Sequence, residues 1–367
     1  MPVSILAGTV IGAGMFSLPF IFKTAGLLTG LFYLLLFGLV FILVDLIYAD
    51  LIVRTPGDHR FVGYSRIYLD KRGFWAAILI GLIQLLFILT TYLVLAPSFS
   101  KLLIEGGSIV HLLIFWMIGS IVILLNTRRI AVAEFLITGG IILIIFLTFV
   151  WGLPSFIRQP VSWSFNLSEF WVIGPILFAL AGRVAVPEVV SYFKETKTPL
   201  GFLKKSLILG TFVPVVVYSL FIIGIVGLSL SVTEDAVSGL IGQIPTPILI
   251  AIGILGLLSL ISSYIVVGLN VSRIFRYDLS LPAWLSTCLV VFIPPVLYFL
   301  GFQNFITLVS YLGGIFIPLE SIFILFMWLK ANRKLGTPPI MVGNAIKMSI
   351  PVLLFVFFIV LIYVIIS

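Results

Sequence analysis

Residues 7–19 read AGTVIGAGMFSLP, and this stretch lies inside the first apolar segment of the chain. A plain membrane helix at this place would be rich in leucine, isoleucine and valine. Instead the stretch has three glycines within seven residues and a proline five residues later, and such residues cost a helix interior about 1–3 kcal/mol relative to alanine. Non-helical backbone at membrane depth persists only where protein buries it or where it lines a wet cavity. We therefore expect a broken helix whose free amide and carbonyl groups face a ligand.

Close helix packing is the alternative explanation for these glycines. Gly8 and Gly12 are separated by three residues, a spacing that lets two membrane helices approach closely. This stretch by itself leaves both interpretations open.

The overall composition is that of a membrane protein with several spans. Of the 367 residues, 62% are hydrophobic and 9% are charged, whereas soluble domains carry about 25% charged residues. The net charge of +8 does not indicate nucleic-acid binding, because the basic residues lie in short loops between apolar segments. The single cysteine excludes an internal disulfide and a cysteine metal site. We therefore expect an integral membrane protein, in contact with lipid and without a cofactor. A bacterial or archaeal cell membrane is a separate expectation that the composition does not test.

Eleven apolar segments come close to the roughly 20 residues that a membrane span needs. The expected spans are residues 3–25, 29–52, 74–95, 109–125, 130–153, 170–193, 203–228, 247–271, 281–300, 305–329 and 349–366. The loops after the even-numbered spans hold 17 of the 21 lysines and arginines. Because cytoplasmic loops are rich in these residues, we predict that the N-terminus is cytoplasmic and that the C-terminus lies outside.

The sixth segment repeats the interruption seen in the first. Gly174-Pro175 comes early, small residues and Arg183 follow, and Pro187 stands beyond them. Segments one and six are five apart, so two five-span halves would enter the membrane from opposite sides. Interrupted segments at matching places in two halves are typical of inverted-repeat transporters with a site at the midplane. We predict an all-helical protein with one repeat at residues 1–155, an inverted repeat at 165–330 and an eleventh helix at 345–367.

The residues of segments one and six, with part of segment seven, resemble one known family. Residues 7–15 with Leu18-Pro19, and the runs at 178–192 and 205–218, resemble the tryptophan/tyrosine permeases. These hydroxy and aromatic amino acid permeases belong to the amino acid-polyamine-organocation superfamily and are related to the amino acid/auxin permeases. The resemblance implies the LeuT-type fold, in which two five-helix repeats have broken helices 1 and 6, here with one additional helix. It also implies ion-coupled uptake of amino acids.

One departure from the family concerns the break in segment six. The family commonly has Phe-Gly-Phe-His-Gly there, whereas residues 178–183 of this chain read FALAGR. The histidine is absent and Arg183 stands nearby, a difference that bears on both the aromatic specificity and the coupling ion.

The two breaks offer groups that match the charges of a free amino acid. The second half of a broken helix begins with free amide groups and the positive end of the helix dipole, which suit a carboxylate. The last carbonyl groups of the first half suit a cation or an ammonium group. An α-amino acid carries both charges on one carbon, which favours it over a sugar, although organic amines remain an alternative. The substrate-binding residues expected here are Val10, Gly12, Ala13, Gly14, Met15, Phe178, Ala179 and Ala181.

Arg183 admits two explanations. A charge at the middle of a span costs about 2.5–3.5 kcal/mol on insertion scales and therefore needs a partner or a water-filled cavity. As a substrate-binding residue, Arg183 would hold an anionic group, exclude cationic substrates or stand where a coupling cation would bind. In the alternative it forms an internal ion pair with Glu188, Asp45 or Glu320.

A sodium site is one candidate for ion coupling. Three serines at spacings of three and four share one face of the eighth helix. The resemblance to LeuT-type transporters implies that hydroxyl groups at this place bind sodium together with carbonyl oxygens of the first broken helix. The alternative is that the serines hydrogen-bond within their own helix. The residues implied for the site are Gly8, Ile11, Ser259, Ser262 and Ser263.

Three further polar residues are candidates for the transport site. Asp45 and Glu320 are carboxylates within spans and could carry a proton as the coupling ion. The alternative for Asp45, seven residues before Ile52, is a place near the cytoplasmic surface. Tyr92 of the third segment is expected to cover the substrate, with packing as its alternative role.

These features lead to three hypotheses of function. The first is a secondary transporter that imports aromatic or other neutral amino acids by H⁺ or Na⁺ symport with alternating access. The second is an ion-independent exchanger or uniporter of the same fold. The third is a sensor that binds amino acids without moving them, although sensors usually carry a soluble tail and we expect none here. We expect neither an enzyme, nor a nucleic-acid partner, nor an obligatory protein partner.

Overall fold

The computed structural model describes residues 2–57, 59–125, 130–158 and 163–366. Within these ranges the chain forms fifteen α-helices, with short 3₁₀ and π turns between some of them. The helices are α1 Pro2–Val10, α2 Leu18–Ala25, α3 Leu27–Arg54, α4 Phe61–Tyr68, α5 Lys71–Ser100, α6 Ser108–Leu125, α7 Ile130–Arg158, α8 Ile173–Ala179, α9 Val186–Thr196, α10 Leu200–Leu228, α11 Thr246–Arg273, α12 Ala283–Phe299, α13 Phe305–Tyr311, α14 Ile317–Lys334 and α15 Asn344–Ile366.

The long helices follow the apolar segments of the sequence. In the described part of the chain, eight are long and apolar enough to cross a membrane, counting α8 with α9 and α13 with α14 as single spans. The pair formed by α1 and residues Ala13–Ala25, bent by 44°, makes a ninth. Helices α6 and α12 are apolar but shorter. The expected count of eleven spans stays a prediction, because it requires both shorter helices to cross as well.

Helix α4 was not expected from the sequence. This eight-residue helix lies in the loop after the second span and buries Val62, Tyr64, Ser65 and Tyr68 on one face. It is too short and too polar to read as a span, so a search for apolar segments passes over it.

Helix α10 packs against α1, α3 and α7. A Cβ atom added at Gly224 would lie 2.8 Å from the backbone nitrogen of Phe149 on α7, so only glycine permits this approach. At Gly210 an added Cβ would lie 2.8 Å from the Cβ of Leu6 on α1. These close contacts bring the middle of α10 next to the point where α1 ends.

Loops predicted to share one side of the membrane do meet at one end of the molecule. Lys334, after the tenth expected span, lies 3.4 Å from the carbonyl oxygen of Ile67, and Arg60 forms an ion pair of 2.7 Å with Glu188. At the opposite end, Lys23 donates to the carbonyl oxygen of Leu230 at 3.0 Å. The grouping of the loops follows the prediction, whereas the assignment of one end to the cytoplasm stays a prediction.

A buried carboxylate near the end of α3 ties the chain after α14 to the rest of the molecule. Asp50 is fully buried and accepts hydrogen bonds from the indole of Trp328 at 2.7 Å and from the amides of Ile340 and Met341 at 2.7 and 2.8 Å. Arg54, one turn later on α3, forms an ion pair of 3.1 Å with the same carboxylate. The carboxylate thus fixes both α14 and the segment that leads to α15.

At the opposite end, Asp235 organises the loop between α10 and α11. Burial by itself would raise the pKa of Asp235, but hydrogen bonds from Ser238, Ser98 and Thr233 outweigh it and hold the pKa below its ordinary value. Because Ser98 lies on α5, these bonds also attach the loop to that helix.

Candidate functional site

The first helix is interrupted at Ile11 and Gly12. The Ile11 amide still donates to the carbonyl oxygen of Ala7 at 2.8 Å, but Gly12 is extended, with φ −140° and ψ −156°. A 3₁₀ turn follows at Ala13–Ser17 before α2 begins. The interruption therefore falls inside the glycine-rich stretch at residues 7–19.

The sixth segment is interrupted in the same manner. Helix α8 ends at Ala179, the residues Leu180 to Gly182 lie outside any helix, and a 3₁₀ turn at Arg183–Ala185 leads into α9. Pro187 stands in the first turn of α9, where its missing amide proton costs no hydrogen bond.

The two interruptions pack directly on each other. A Cβ atom added at Gly14 would lie 2.6 Å from the Cα of Ala179 and 2.9 Å from its nitrogen. Gly182, on the other side, faces the side chain of Val10 so closely that a Cβ would overlap it. Close packing, the alternative given for Gly8 and Gly12, is thus found at Gly14 and Gly182, together with the loss of helical structure.

The remaining two glycines of the first segment have different surroundings. An added Cβ at Gly8 would lie 3.0 Å from the hydroxyl oxygen of Thr138 on α7. At Gly12 the nearest atom to an added Cβ is the hydroxyl oxygen of Ser263, at an ordinary 3.8 Å. Crowding by neighbouring atoms therefore requires glycine at position 14 but not at position 12.

Tyr218 of α10 joins the two interruptions through its hydroxyl group. This fully buried hydroxyl lies 2.6 Å from the carbonyl oxygen of Val10 and 2.8 Å from that of Ala179. It also accepts a hydrogen bond from the Gly12 amide. Tyr218 was not among the site residues expected from the sequence. It could have been noticed as a tyrosine inside segment seven, at the end of the family-like run at residues 205–218.

The hydrogen bonds at the first break change which backbone groups are available to a ligand. The first amides of a helical turn have no partner within that turn, and in the turn after the first break these belong to Ala13 and Gly14. The prediction was wrong for the amide of Met15, which donates to the carbonyl oxygen of Gly12 at 3.2 Å because a 3₁₀ turn pairs residues three apart. The carbonyl groups of Val10 and Ala179 each retain a second lone pair beside Tyr218.

Tyr92 and Ser263 reach the same region from α5 and α11. The Tyr92 hydroxyl is hydrogen-bonded to Ser263, whose oxygen is the group that faces Gly12. Tyr92 is 7% exposed and Ser259 is 4% exposed, while Ser262 is half-buried. The structure therefore places Tyr92 and Ser263 at the first break, and the sodium site stays a prediction.

Arg183 is paired, and the structure selects Glu320 from its three expected partners. The guanidinium lies 2.8 Å from the Glu320 carboxylate and 3.2 Å from the carbonyl oxygen of Ile317. Its carbon centre lies 5.1 Å from the centre of the Phe41 ring. Glu188 is instead paired with Arg60 at the surface. Direct contact between Arg183 and a substrate stays a prediction.

The arrangement suits a small zwitterion with an apolar side chain. Free amides of Ala13 and Gly14 and the carbonyl groups beside Tyr218 offer donors and acceptors a few residues apart. Phe178, whose ring lies 3.0 Å from the Cβ position of Gly14, and Tyr92 provide apolar surface nearby. Within the described ranges, no group of three or more histidine, cysteine, aspartate or glutamate residues could hold a metal ion.

The chain is similar to known transporters along its whole length. It is 24% identical over 393 residues to a tryptophan-specific transport protein of Shigella flexneri, covering 96% of this chain and 91% of that protein. Among solved structures, MhsT in complex with L-phenylalanine has a TM-score of 0.74 at 14% identity, covering 100% of this chain and 97% of MhsT.

Two more distant structures share the architecture. The nucleobase-cation-symport-1 family transporter MHP1, closed around bromovinylhydantoin, has a TM-score of 0.64 at 13% identity and covers 99% of this chain and 91% of its own. The Eremococcus coleocola manganese transporter has the same TM-score of 0.64 at 16% identity, and the match covers 98% of this chain and 85% of that transporter. At such identities these structures show the fold alone, which is the LeuT-type fold of an integral membrane protein.

The sequence profile of the tryptophan/tyrosine permease family matches residues 1–365. The relatives named above are transporters and not enzymes. The structure, the relatives and this match agree, and the chain belongs to the tryptophan/tyrosine permease family.

Proposed function

We propose that this protein is a secondary transporter that imports aromatic amino acids, with L-tryptophan as its first candidate substrate, by ion symport with alternating access. The observation that carries the proposal is the direct contact between two interrupted helices, which brings the first amides after one break next to the last carbonyl groups before the other. Membership of the family supports the substrate class, as does the tryptophan-specific transport protein among its relatives.

Recognition of the substrate backbone follows from the two helix ends. The carboxylate would accept hydrogen bonds from the amides of Ala13 and Gly14, where the dipole of the following turns favours negative charge. The ammonium group would donate to carbonyl oxygens at the ends of α1 and α8. Phe178 and Tyr92 would offer apolar surface to an aromatic ring, and the side chains of Ala179 and Ala181 are small.

The test is uptake of radiolabelled L-tryptophan into proteoliposomes, with and without a pH or Na⁺ gradient. Tryptamine lacks the carboxylate and indole-3-propionate lacks the ammonium group. Each should compete with L-tryptophan at least about tenfold more weakly than an intact aromatic amino acid does, because hydrogen bonds to charged groups contribute about 1.5–3 kcal/mol. Equal competition by either analogue would show that the two helix ends do not hold the zwitterion.

An ion-independent exchanger is the second candidate. That hypothesis uses Arg183 in place of a coupling cation, but the ion pair with Glu320 neutralises this arginine, which favours symport. Tryptophan counterflow without any accumulation in an ion gradient would support the exchanger. Binding without any flux would support a sensor.

The sodium site gives a specific prediction. Ser262→Ala should raise the Na⁺ concentration for half-maximal tryptophan uptake, by about tenfold for each 1.4 kcal/mol of lost binding energy. Ser286→Ala is the matched control, because the Ser286 hydroxyl is fully buried and donates to Pro282 within its own helix. If uptake by the unmodified protein does not depend on Na⁺, the proposed sodium site is contradicted.

Tyr218→Phe should lower tryptophan uptake by about tenfold, because removal of a buried hydrogen-bonding partner costs about 1–3 kcal/mol. The change leaves the carbonyl groups of Val10 and Ala179 and the Gly12 amide without their shared partner. Initial rates in proteoliposomes, at matched amounts of protein, measure the effect.

The control for Tyr218→Phe is Tyr33→Phe on α3. Tyr33 loses the same hydroxyl group, which donates to the carbonyl oxygen of Leu167 at 2.8 Å, away from both breaks. Similar losses of uptake in the two variants would contradict a specific role of Tyr218.

A further inference from the structure

Five spans contribute to a polar cluster behind the second break. Glu320 of α14 pairs with Arg183 at 2.8 Å and accepts a hydrogen bond from Gln84 of α5 at 3.3 Å. Asp45 of α3 accepts a hydrogen bond from Thr211 of α10 at 2.9 Å. The carbon centre of the Arg183 guanidinium lies 5.1 Å from the centre of the Phe41 ring, one turn before Asp45 on α3. Arg183 and Glu320 both lie within electrostatic range of Asp45, so the three ionisable groups form one cluster.

The cluster is buried and its hydrogen bonding is incomplete. Asp45 and Arg183 are each 3% exposed and Gln84 is 5% exposed. Within the described part of the chain, four of their atoms have no hydrogen-bond partner: one carboxylate oxygen of Asp45, the amide oxygen of Gln84, and Nε and Nη1 of Arg183. Buried polar groups are almost always paired, so four orphans on three neighbouring residues call for an explanation.

The charges of the cluster do not cancel. With both carboxylates ionised, Asp45 and Glu320 carry two negative charges against the one positive charge of Arg183. An uncompensated charge in a buried site is strongly unfavourable, and one bound proton makes the cluster neutral. Two of the orphan atoms are guanidinium donors, which repel a metal cation, and hard cations require oxygen ligands. The chemistry therefore favours a proton over sodium at this place.

Asp45 is the carboxylate better placed to take that proton. Glu320 already has Arg183 and Gln84 as partners, whereas Asp45 has the Thr211 hydroxyl on one oxygen and nothing on the other. Among the described residues, Tyr48 on α3 lies within electrostatic range of Glu320 and Arg183, and Tyr64 and Arg60 lie within range of Tyr48. Arg60 is itself paired with Glu188.

The cluster is connected to the two breaks through Arg183. This arginine begins the turn that follows the second break, four residues after Ala179, which packs on Gly14. A change in the charge of Asp45 alters the field on Arg183 and hence on the segment that forms one wall of the candidate substrate site.

We propose that Asp45, Arg183 and Glu320 form the proton-binding centre of this transporter, with the proton held on the unpaired oxygen of Asp45. This inference rests on the transport function proposed above. In each cycle an O–H bond forms at Asp45 with a proton from water on one side of the membrane, and the same bond breaks when the proton leaves to water on the other side. The neutral cluster is the form that binds tryptophan.

Asp45→Asn tests the proposal, because asparagine keeps the shape of a protonated aspartate and cannot release a proton. Radiolabelled L-tryptophan counterflow without a gradient should remain measurable, because exchange needs no net movement of protons. Accumulation driven by one unit of pH gradient should fall from about tenfold, the value for one proton per substrate, to none. Glu105→Gln, which removes an exposed carboxylate from the loop between α5 and α6, should keep both activities. Tenfold accumulation by Asp45→Asn would overturn the proposal.

A second measurement does not depend on any variant. Calorimetric binding of L-tryptophan to the purified protein, in buffers of different ionisation enthalpy between pH 5 and 8, counts the protons that accompany the substrate. Because coupling between two ligands is reciprocal, we expect proton uptake on binding in part of this range. Binding without proton exchange throughout the range would overturn the proposal. Absence of counterflow in the unmodified protein would instead contradict the transport function itself.

Discussion

Gly14→Ala should reduce tryptophan uptake by about 10- to 100-fold, because overpacking of a filled interior typically costs 1–3 kcal/mol. The added methyl group would lie 2.6 Å from the Cα of Ala179 and 2.9 Å from its nitrogen. Both atoms are backbone, so no side-chain rotation relieves the overlap, and the two breaks have to move apart. Initial rates of uptake in proteoliposomes measure the loss, with size-exclusion chromatography to show that the variant is folded.

Gly12→Ala is the matched control two residues away. An added Cβ at Gly12 would meet nothing closer than the Ser263 hydroxyl oxygen at 3.8 Å, and its extended backbone is open to alanine. We expect uptake within about twofold of the unmodified protein, as for a substitution without a clash. Equal losses at both positions would mean that the glycines matter for some property other than the contact between the breaks.

Asp50→Ala should lower the free energy of unfolding by about 3–5 kcal/mol, because removal of one partner of a buried ion pair leaves the other charge unpaired. Arg54 would keep its charge with a side chain that is 1% exposed. Trp328 and the amides of Ile340 and Met341 would lose their acceptor as well. Thermal unfolding of the detergent-solubilised protein measures the change.

Asp70→Ala provides the comparison for Asp50→Ala. Asp70 is an exposed N-cap of α5 that accepts a hydrogen bond from the Gly73 amide at 2.9 Å, and this bond lowers its pKa. The loss of stability should be much smaller than for Asp50, because water can replace the carboxylate. An equal loss would contradict the structural role of the buried carboxylate.

The parts of the fold that depend on local sequence could be predicted. The order of the apolar segments sets the order of the long helices, and the glycines and prolines of segments one and six mark where the helices stop. A helix break is a local property, because glycine and proline weaken the helix wherever they stand. Close packing was an alternative for Gly8 and Gly12, whereas Gly14 and Gly182 make the tightest contacts at the breaks, because spacing does not reveal which neighbour a glycine faces.

The contacts between distant residues could not be read from the sequence. Tyr218 lies 208 residues from Val10 along the chain, and its hydroxyl reaches both breaks only because α10 packs against α1. Arg183 had three possible partners, and the choice of Glu320 depends on how the segment around Ile317 faces the second break. The Met15 amide was assigned wrongly because the sequence does not distinguish a 3₁₀ turn from an α-helical one.

The most direct test of the central claim is an experimental structure of the protein with L-tryptophan bound. We predict that the substrate carboxylate lies within hydrogen-bonding distance of the amides of Ala13 and Gly14. We also predict that its ammonium group faces carbonyl oxygens at the ends of α1 and α8. Tryptophan bound elsewhere, or continuous helices through residues 10–14 and 179–183, would contradict the account.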